Sequence, residues 1–274
     1  MTDARTPPRP GPRSLAICAD DFGLDPQVNA GALKLAQQGR LSAIACMVGA
    51  PFWQGDAPEL RRFERARLQT GLHLDLTEYP LDRRMRQSLP QWILRSHAGA
   101  VDRPALRREI DAQLEAFAGA MQRPPDFVDG HQYVHQLPVV RDALVEALLA
   151  RGWRPWLRST KRPPGLRTAR ARVVEALGAC GLARRAQLHG LPQNRRLLGI
   201  YGFDGDEAGY LARLREWLAL AGNGDLLVCH PAAGWPRSAA LPAARCREYA
   251  VLAGPAMAAL LQASGVQVAP LELD

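Results

Sequence analysis

The chain has 274 residues, 47% of them hydrophobic and 23% charged, with a net charge of +8. That length suits one α/β barrel, and those proportions exclude disordered and fibrous classes. Five widely spaced cysteines (Cys18, Cys46, Cys180, Cys229, Cys246) without a CxxC pair exclude a disulfide framework and a thiolate zinc site, and three of them read as inert strand residues.

Met1 to Arg13 carries four prolines, three arginines and no apolar run, so it reads as a disordered arm and not as a signal peptide or anchor. No later stretch approaches the roughly 20 unbroken apolar residues of a membrane helix, and a cytoplasmic protein is expected. A single domain is expected over 14–274.

From Leu15 onward, short apolar runs alternate with helical patterns, the signature of a parallel sheet built from strand-helix-strand units. Strands are expected at Leu15–Ala19, Ala43–Val48, Gln69–Leu74, Asp126–Asp129, Trp153–Leu157, Leu198–Tyr201, Leu226–Cys229 and Val266–Ala269. Helices are expected at Val28–Gln37, Ala105–Phe117, Val140–Leu149, Val173–Leu182, Glu207–Leu220 and Tyr249–Gln262. In Ala105–Phe117, Leu106, Ile110, Leu114 and Phe117 fall on one face at core-packing spacing. Thr77 to Pro104 reads as one long irregular insertion after a strand end, the place for a lid or binding wall. Ser159 to Thr168 reads as a second irregular stretch on the same rim.

Charge is uneven along the chain. Between Arg154 and Arg196 ten Arg and one Lys face one acid, Glu175. The segment is therefore either a solvated helical face or a surface for an anionic ligand.

Chemistry-bearing residues gather where the strands end: Asp20-Asp21-Phe22-Gly23 after the first, Gly71-Leu72-His73-Leu74-Asp75 at the third, Asp129-Gly130-His131-Gln132-Tyr133-Val134-His135 at the fourth, and Cys229-His230-Pro231 at the seventh. In a parallel barrel the carboxyl ends of all strands open on one face, so these segments converge. Adjacent aspartates after a buried strand repel one another unless a cation or donor compensates. An Asp-His-His ligand set with open positions is the pattern of a catalytic metal site, where the ion polarises a carbonyl and activates water while a second carboxylate and another histidine move protons. Asp20, Asp21, His73, His131 and His230 fill those roles without remainder. Each residue alone also has a plain reading: Gly23 permits a tight turn, Phe22 plugs the core, Asp129 orients His131, Asp75 sits at the rim. Trp92 and Trp235 lie in loops near the expected mouth and are candidates for stacking on sugar rings.

Together, Ala19-Asp20-Asp21-Phe22-Gly23-Leu24, Gly71-Leu72-His73-Leu74, Asp129-Gly130-His131 with His135, and Cys229-His230-Pro231-Ala232 resemble the YdjC-like, or chitooligosaccharide deacetylase, family, which includes hopanoid-biosynthesis-associated members. The resemblance spans Leu15 to about Ala259. It implies a deviant (β/α) TIM-like barrel related to polysaccharide deacetylases, and metal-dependent removal of acetyl groups from N-acetylated amino sugars. By position it implies Asp21, His73 and His131 as metal ligands, Asp20 as base, His230 as acid, and Arg158 as a residue that steers the substrate or Asp20. Relatives often read Asp-x-His-His-His-x-His at the fourth strand. Here Gln132 and Tyr133 stand inside that motif, and Tyr133 and His135 are expected beside the substrate.

The cofactor is expected to be a divalent ion, magnesium by resemblance, with zinc also suited to imidazole and carboxylate. A small-molecule or oligosaccharide substrate is expected, and no nucleic acid. An anionic or lipid-linked substrate and a homodimer are left open. Two alternatives stand beside the deacetylase: a metal-dependent phosphoester hydrolase, and a non-catalytic protein that binds anionic ligands through the Arg-rich segment.

Overall fold

A computed structural model describes residues 13–166 and 168–273. The arm expected over 1–13 lies outside the described residues except for Arg13, which opens the first strand, and Arg167 of the second irregular stretch also lies outside.

In chain order the elements are β1 (Arg13–Phe22), α1 (Pro26–Gln37), β2 (Ala43–Cys46), α2 (Trp53–Leu60), β3 (Gln69–Leu74), α3 (Leu89–His97), α4 (Arg103–Met121), β4 (Phe127–Gly130), α5 (Val140–Ala150), β5 (Trp156–Leu157), α6 (Ala169–Ala176), α7 (Ala179–Leu188), β6 (Leu197–Leu198), α8 (Glu207–Leu220), β7 (Leu226–Cys229), α9 (Pro242–Ala253), α10 (Pro255–Ser264) and β8 (Val266–Val268). Every strand pairing is parallel, in the order β5-β4-β3-β2-β1-β7-β6, and β8 pairs with the start of β1. The sheet curls until its edges meet through a bridge between Leu157 and Gln193, a bond from Leu197 N–H to the Lys161 carbonyl, and the Asn194 side chain, which bonds both backbone groups of Ser159. Such a barrel, nearly closed and strongly uneven in strand length, is the deviant (β/α) barrel expected.

All eight expected strands have a counterpart, but β5 covers only the end of Trp153–Leu157 and β6 meets Leu198–Tyr201 only at Leu198. The faces of the sheet are covered on both sides, as in any parallel sheet wrapped by helices. Leu106, Ile110, Leu114 and Phe117 of α4 are all completely buried. Cys18, Cys46 and Cys229 are free and buried, the inert core thiols expected.

Four expectations are corrected. The helix expected over Val173–Leu182 is two helices, α6 and α7, separated at Gly178, and the one expected over Tyr249–Gln262 is α9 and α10, separated at Gly254-Pro255. Proline has no N–H to continue a helix but starts one well, so α10 begins at Pro255. The insertion from Thr77 to Pro104 is not irregular throughout: it contains a 3-10 turn at Arg83–Met85 and the helix α3, where the Ser88 N–H donates to Gln91 Oε1 at 2.9 Å. Trp92 of α3 is buried, and its Nε1–H donates to the Leu76 carbonyl at 2.9 Å, so it fastens the insertion to the end of β3 and offers no face to a sugar.

Gly71, which opens the motif on β3, is required by packing. A Cβ placed there would lie 2.4 Å from the Phe127 ring, itself stacked on Trp156 with centroids 4.3 Å apart. Gly71→Ala is therefore expected to cost about 1–3 kcal/mol through overpacking. A thermal melt of the variant several degrees below wild type checks this, and an unchanged melt contradicts it.

Candidate active site

The carboxyl ends of β1, β3, β4 and β7 surround a cavity of about 180 Å³. Asp20 and Asp21 both reach it because β1 carries a bulge: between the pairs Ala19–Ile44 and Phe22–Cys46 the two aspartates oppose the single residue Ala45, and Asp21 adopts φ 70. On a regular strand the two side chains would point to opposite faces. Gly23, at φ 106, completes the turn into α1, and Phe22 is fully buried.

Asp21, His73 and His131 form one cluster, with one ligand atom from each lying within 4.8 Å of the others. Asp21 Oδ1 lies 3.0 Å from His131 Nδ1 and 3.4 Å from His73 Nε2. His73 Nδ1 meets Asp129 Oδ1 at 2.6 Å. Asp129 thus orients His73, not His131. The carboxylate beside His131 is Glu78, 3.2 Å from its Nε2. Each metal-type histidine therefore keeps one nitrogen toward Asp21 and the other toward a carboxylate, the arrangement that fixes ring orientation at metal centres. Donor chemistry, spacing and outer partners all fit a divalent cation.

Beside this cluster Arg158 lies wholly buried, its fork donating to both oxygens of Asp20 at 2.6 and 2.7 Å and also pairing with Asp129. Burial pushes the Asp20 carboxyl up, but Arg158, with His73 and His230, outweighs it and brings the group to about 2. Burial likewise opposes ionisation of Asp21, and Arg245 and His131 hold it well below the usual carboxylate range. Arg245 reaches Asp21 Oδ2 from α9 and also binds the Ala240 carbonyl at 2.8 Å. His73 is lowered by burial but raised more by Asp129 and Asp20, to about 9, and His131 is raised well above its ordinary value, chiefly by Asp21 against the cost of burial.

His230 faces Asp20 across the cavity, Nε2 to Oδ2 at 3.9 Å. Its backbone N–H donates at 2.6 Å to buried Glu248, which also accepts from the Tyr201 hydroxyl at 2.7 Å, and its ring packs edge-on to Phe203. Tyr133 lines the cavity, as do Gln132, Arg170 and Leu241. Of the seven non-glycine residues with left-handed φ among the described residues, five line it: Asp21, Gln132, Tyr133, Phe203 and Leu241. Backbone strain gathers at functional sites in this way because surrounding contacts must over-determine it.

Two expected substrate contacts do not reach the cavity. Arg158 lies beneath Asp20 and acts on that carboxylate. His135 is fully buried, and its Nε2–H donates to the Arg158 carbonyl at 2.9 Å. A regular helix would have stacked His135 over His131, but the left-handed Gln132 and Tyr133 turn it inward. Asp75, expected at the rim, is buried and accepts from the backbone N–H groups of Thr77, Glu78 and Tyr79, which sets Glu78 beside His131.

Glu78, Arg245 and Glu248 went unseen in the sequence. Glu78 follows the His73 motif closely enough to be suspected, whereas Arg245 and Glu248 lie on α9 in a pattern that suits any surface helix. Four arginines of the Arg-rich segment are paired with acids, most of which come from outside it: Arg158 with Asp20 and Asp129, Arg162 with Glu175, Arg185 with Asp142 and Glu146, Arg195 with Asp225.

Comparison with known proteins establishes the family and the fold. The YdjC-like protein family matches residues 14–263, and the chain belongs to that family. It is 31% identical over 302 residues to a carbohydrate deacetylase of Homo sapiens, covering 94% of this chain and 90% of the relative. It is also 31% identical over 133 residues to a chitooligosaccharide deacetylase of Yersinia pestis (strain Pestoides F), covering 46% of this chain and 52% of the relative. Among solved structures, a protein proposed to cleave cellobiose phosphate, from Enterococcus faecalis V583, superposes with a TM-score of 0.69 at 20% identity, covering 95% of this chain and 98% of that one. A peptidoglycan N-acetylglucosamine deacetylase superposes at 0.52 and 11% identity, covering 94% and 86%. At these identities the two structures establish the shared fold. Among the described residues no helix is long and apolar enough to cross a membrane.

Two pH effects follow from the geometry. With both histidines protonated, the cluster of Asp20, Asp21, Asp129, Arg158, Arg245, His73 and His131 carries the same net charge as it does with neutral histidines and a divalent ion. Binding of magnesium or zinc near pH 7 is therefore expected to release about two protons per ion, with affinity rising toward pH 9. Calorimetry in buffers of different ionisation enthalpy checks this, and release of no protons contradicts it. His135 is the opposite case: burial lowers it from 6.5 to about 4, so the fold favours its neutral form. Its contribution to stability is fully present above pH 6.5 and is lost as pH falls toward 4, a difference of roughly 3 kcal/mol at the limit. His135→Gln, which keeps a donor for the Arg158 carbonyl, is expected to lose correspondingly less stability than wild type over that window in urea titrations.

Proposed function

We propose that this protein hydrolyses the acetamide of an N-acetylated amino sugar or glycoconjugate, releasing acetate. What carries the reading is that Asp21, His73 and His131 lie together while a second carboxylate, Asp20, and a facing histidine, His230, line the same cavity. The names of the human and Yersinia relatives support the substrate class.

A divalent ion held by Asp21, His73 and His131 supplies a Lewis acid for the acyl oxygen and lowers the pKa of water, with magnesium implied by the family and zinc suited to the imidazole pair. Asp20, ionised at any physiological pH and held by the Arg158 fork, receives the proton that the attacking water gives up. A carboxyl at about 2 keeps a proton poorly, and His230 Nε2, 3.9 Å away, is placed to receive it and deliver it to the leaving nitrogen. Tyr133, Tyr201 and Phe203 wall the cavity and restrict bulk water.

Purified protein supplied with magnesium or zinc is expected to release acetate from N-acetylglucosamine oligomers. Asp21→Asn and His73→Ala are expected to lose both bound ion and acetate release. Asp20→Asn is expected to retain ion and lower kcat by about 10²–10⁴, the range for removal of one acid-base group. Undiminished acetate release in His73→Ala would sink the assignment.

A further inference from the structure

Trp235 is the one large aromatic side chain among the described residues left mostly exposed, at 64%. It sits midway along the loop that leaves β7 at His230 and re-enters the cavity wall at Ala240 and Leu241. That loop is held in place. Asp25 Oδ2 accepts from the backbone N–H groups of Arg237 and Ser238, both at 2.9 Å, while its Oδ1 caps α1 at Gln27. Ala233 N–H donates to the Gln27 carbonyl at 2.8 Å, and Ala232 N–H to the Arg245 carbonyl at 3.0 Å. A loop so fastened cannot fold its indole back onto the core, so an apolar face stays in water at a fixed position.

Trp235 borders a second cleft of about 220 Å³ with Phe52, Gln27, Arg237 and Asp25. The two hollows have no lining residue in common, but consecutive residues of the chain line them. Leu24 lines the catalytic cavity and the next residue, Asp25, lines the cleft, while the loop that carries Trp235 supplies Leu241, itself 46% exposed, to the cavity. An aromatic face bordered by the exposed Gln27 amide and Arg237 guanidinium matches a pyranose ring, which presents C–H bonds on its faces and hydroxyls at its edge. We propose that this cleft is an outer subsite that takes a second or later sugar ring of an oligosaccharide whose acetamide lies in the catalytic cavity, with Trp235 as its stacking platform. The inference rests on the carbohydrate deacetylase reading, and it makes Trp235 a determinant of preferred chain length.

Two measurements on the full-length protein test it. In metal-free protein the Trp235 indole N–H resonance, assigned by its disappearance in Trp235→Phe, is expected to shift on addition of an N-acetylglucosamine tetramer and not on addition of acetate. In metal-loaded protein Trp235→Ala is expected to lower the ratio of kcat/KM for tetramer to that for dimer by about tenfold, with most of the change in KM and with Trp235→Phe restoring most of the ratio. An indole signal unmoved by millimolar tetramer, or a ratio unchanged in Trp235→Ala, overturns the subsite. A wild type that shifts the indole yet releases no acetate from any oligomer would keep the subsite and overturn the deacetylase reading.

Discussion

Everything at the open end of this barrel depends on a buried guanidinium. Arg158 has no exposed surface, and Asp20 and Asp129, which it joins, have almost none. Ions removed from water cost several kcal/mol each unless neutralised and hydrogen-bonded, and the guanidinium does both for these two carboxylates. Asp20 is left as a fixed anion facing the cavity, and Asp129 as a fixed acceptor for His73. A second guanidinium, that of Arg245, plays the same part for Asp21 from the opposite wall. Three aspartates are thus brought together by two arginines that arrive from different quarters of the chain.

The same economy governs the loops around the cavity. Asp25, Asp75, Glu109 and Glu248 are all buried, and each accepts from one or more backbone N–H groups of a loop or insertion, Glu248 with one oxygen and the other three with both. Buried carboxylates that accept several N–H bonds convert irregular chain into rigid wall. That rigidity allows left-handed backbone at Gln132, Tyr133, Phe203 and Leu241 to persist, since strain relaxes wherever neighbours do not prevent it. Catalytic geometry benefits because side chains on such walls need little reorganisation when a substrate arrives.

Constancy of charge also explains why histidine serves as the partner of Asp21. In the metal-free protein His73 and His131 hold protons that balance the surrounding carboxylates. A divalent cation can take over that balancing role without altering the net charge of the cluster, so the pocket need not change shape between its two states. Lysine or arginine at either position would balance the carboxylates permanently and leave no vacancy for an ion.

Eight strands, the parallel sheet, and the gathering of Asp20, Asp21, His73, His131 and His230 at one end were legible in the sequence, because strand periodicity and strand-end position are local properties and parallel topology forces all carboxyl ends onto one face. The helix breaks at Gly178 and Gly254-Pro255 were visible as residues but not as breaks, since helical propensity summed over a window outweighs one glycine. Only the folded chain decided which carboxylate serves which histidine, that His135 turns away from the cavity and that Arg245 comes to Asp21 from 224 residues away in sequence. Those pairings depend on side-chain directions at a bulge and at two left-handed residues, and on a contact between elements distant in the chain. No local pattern of amino acids encodes such distances.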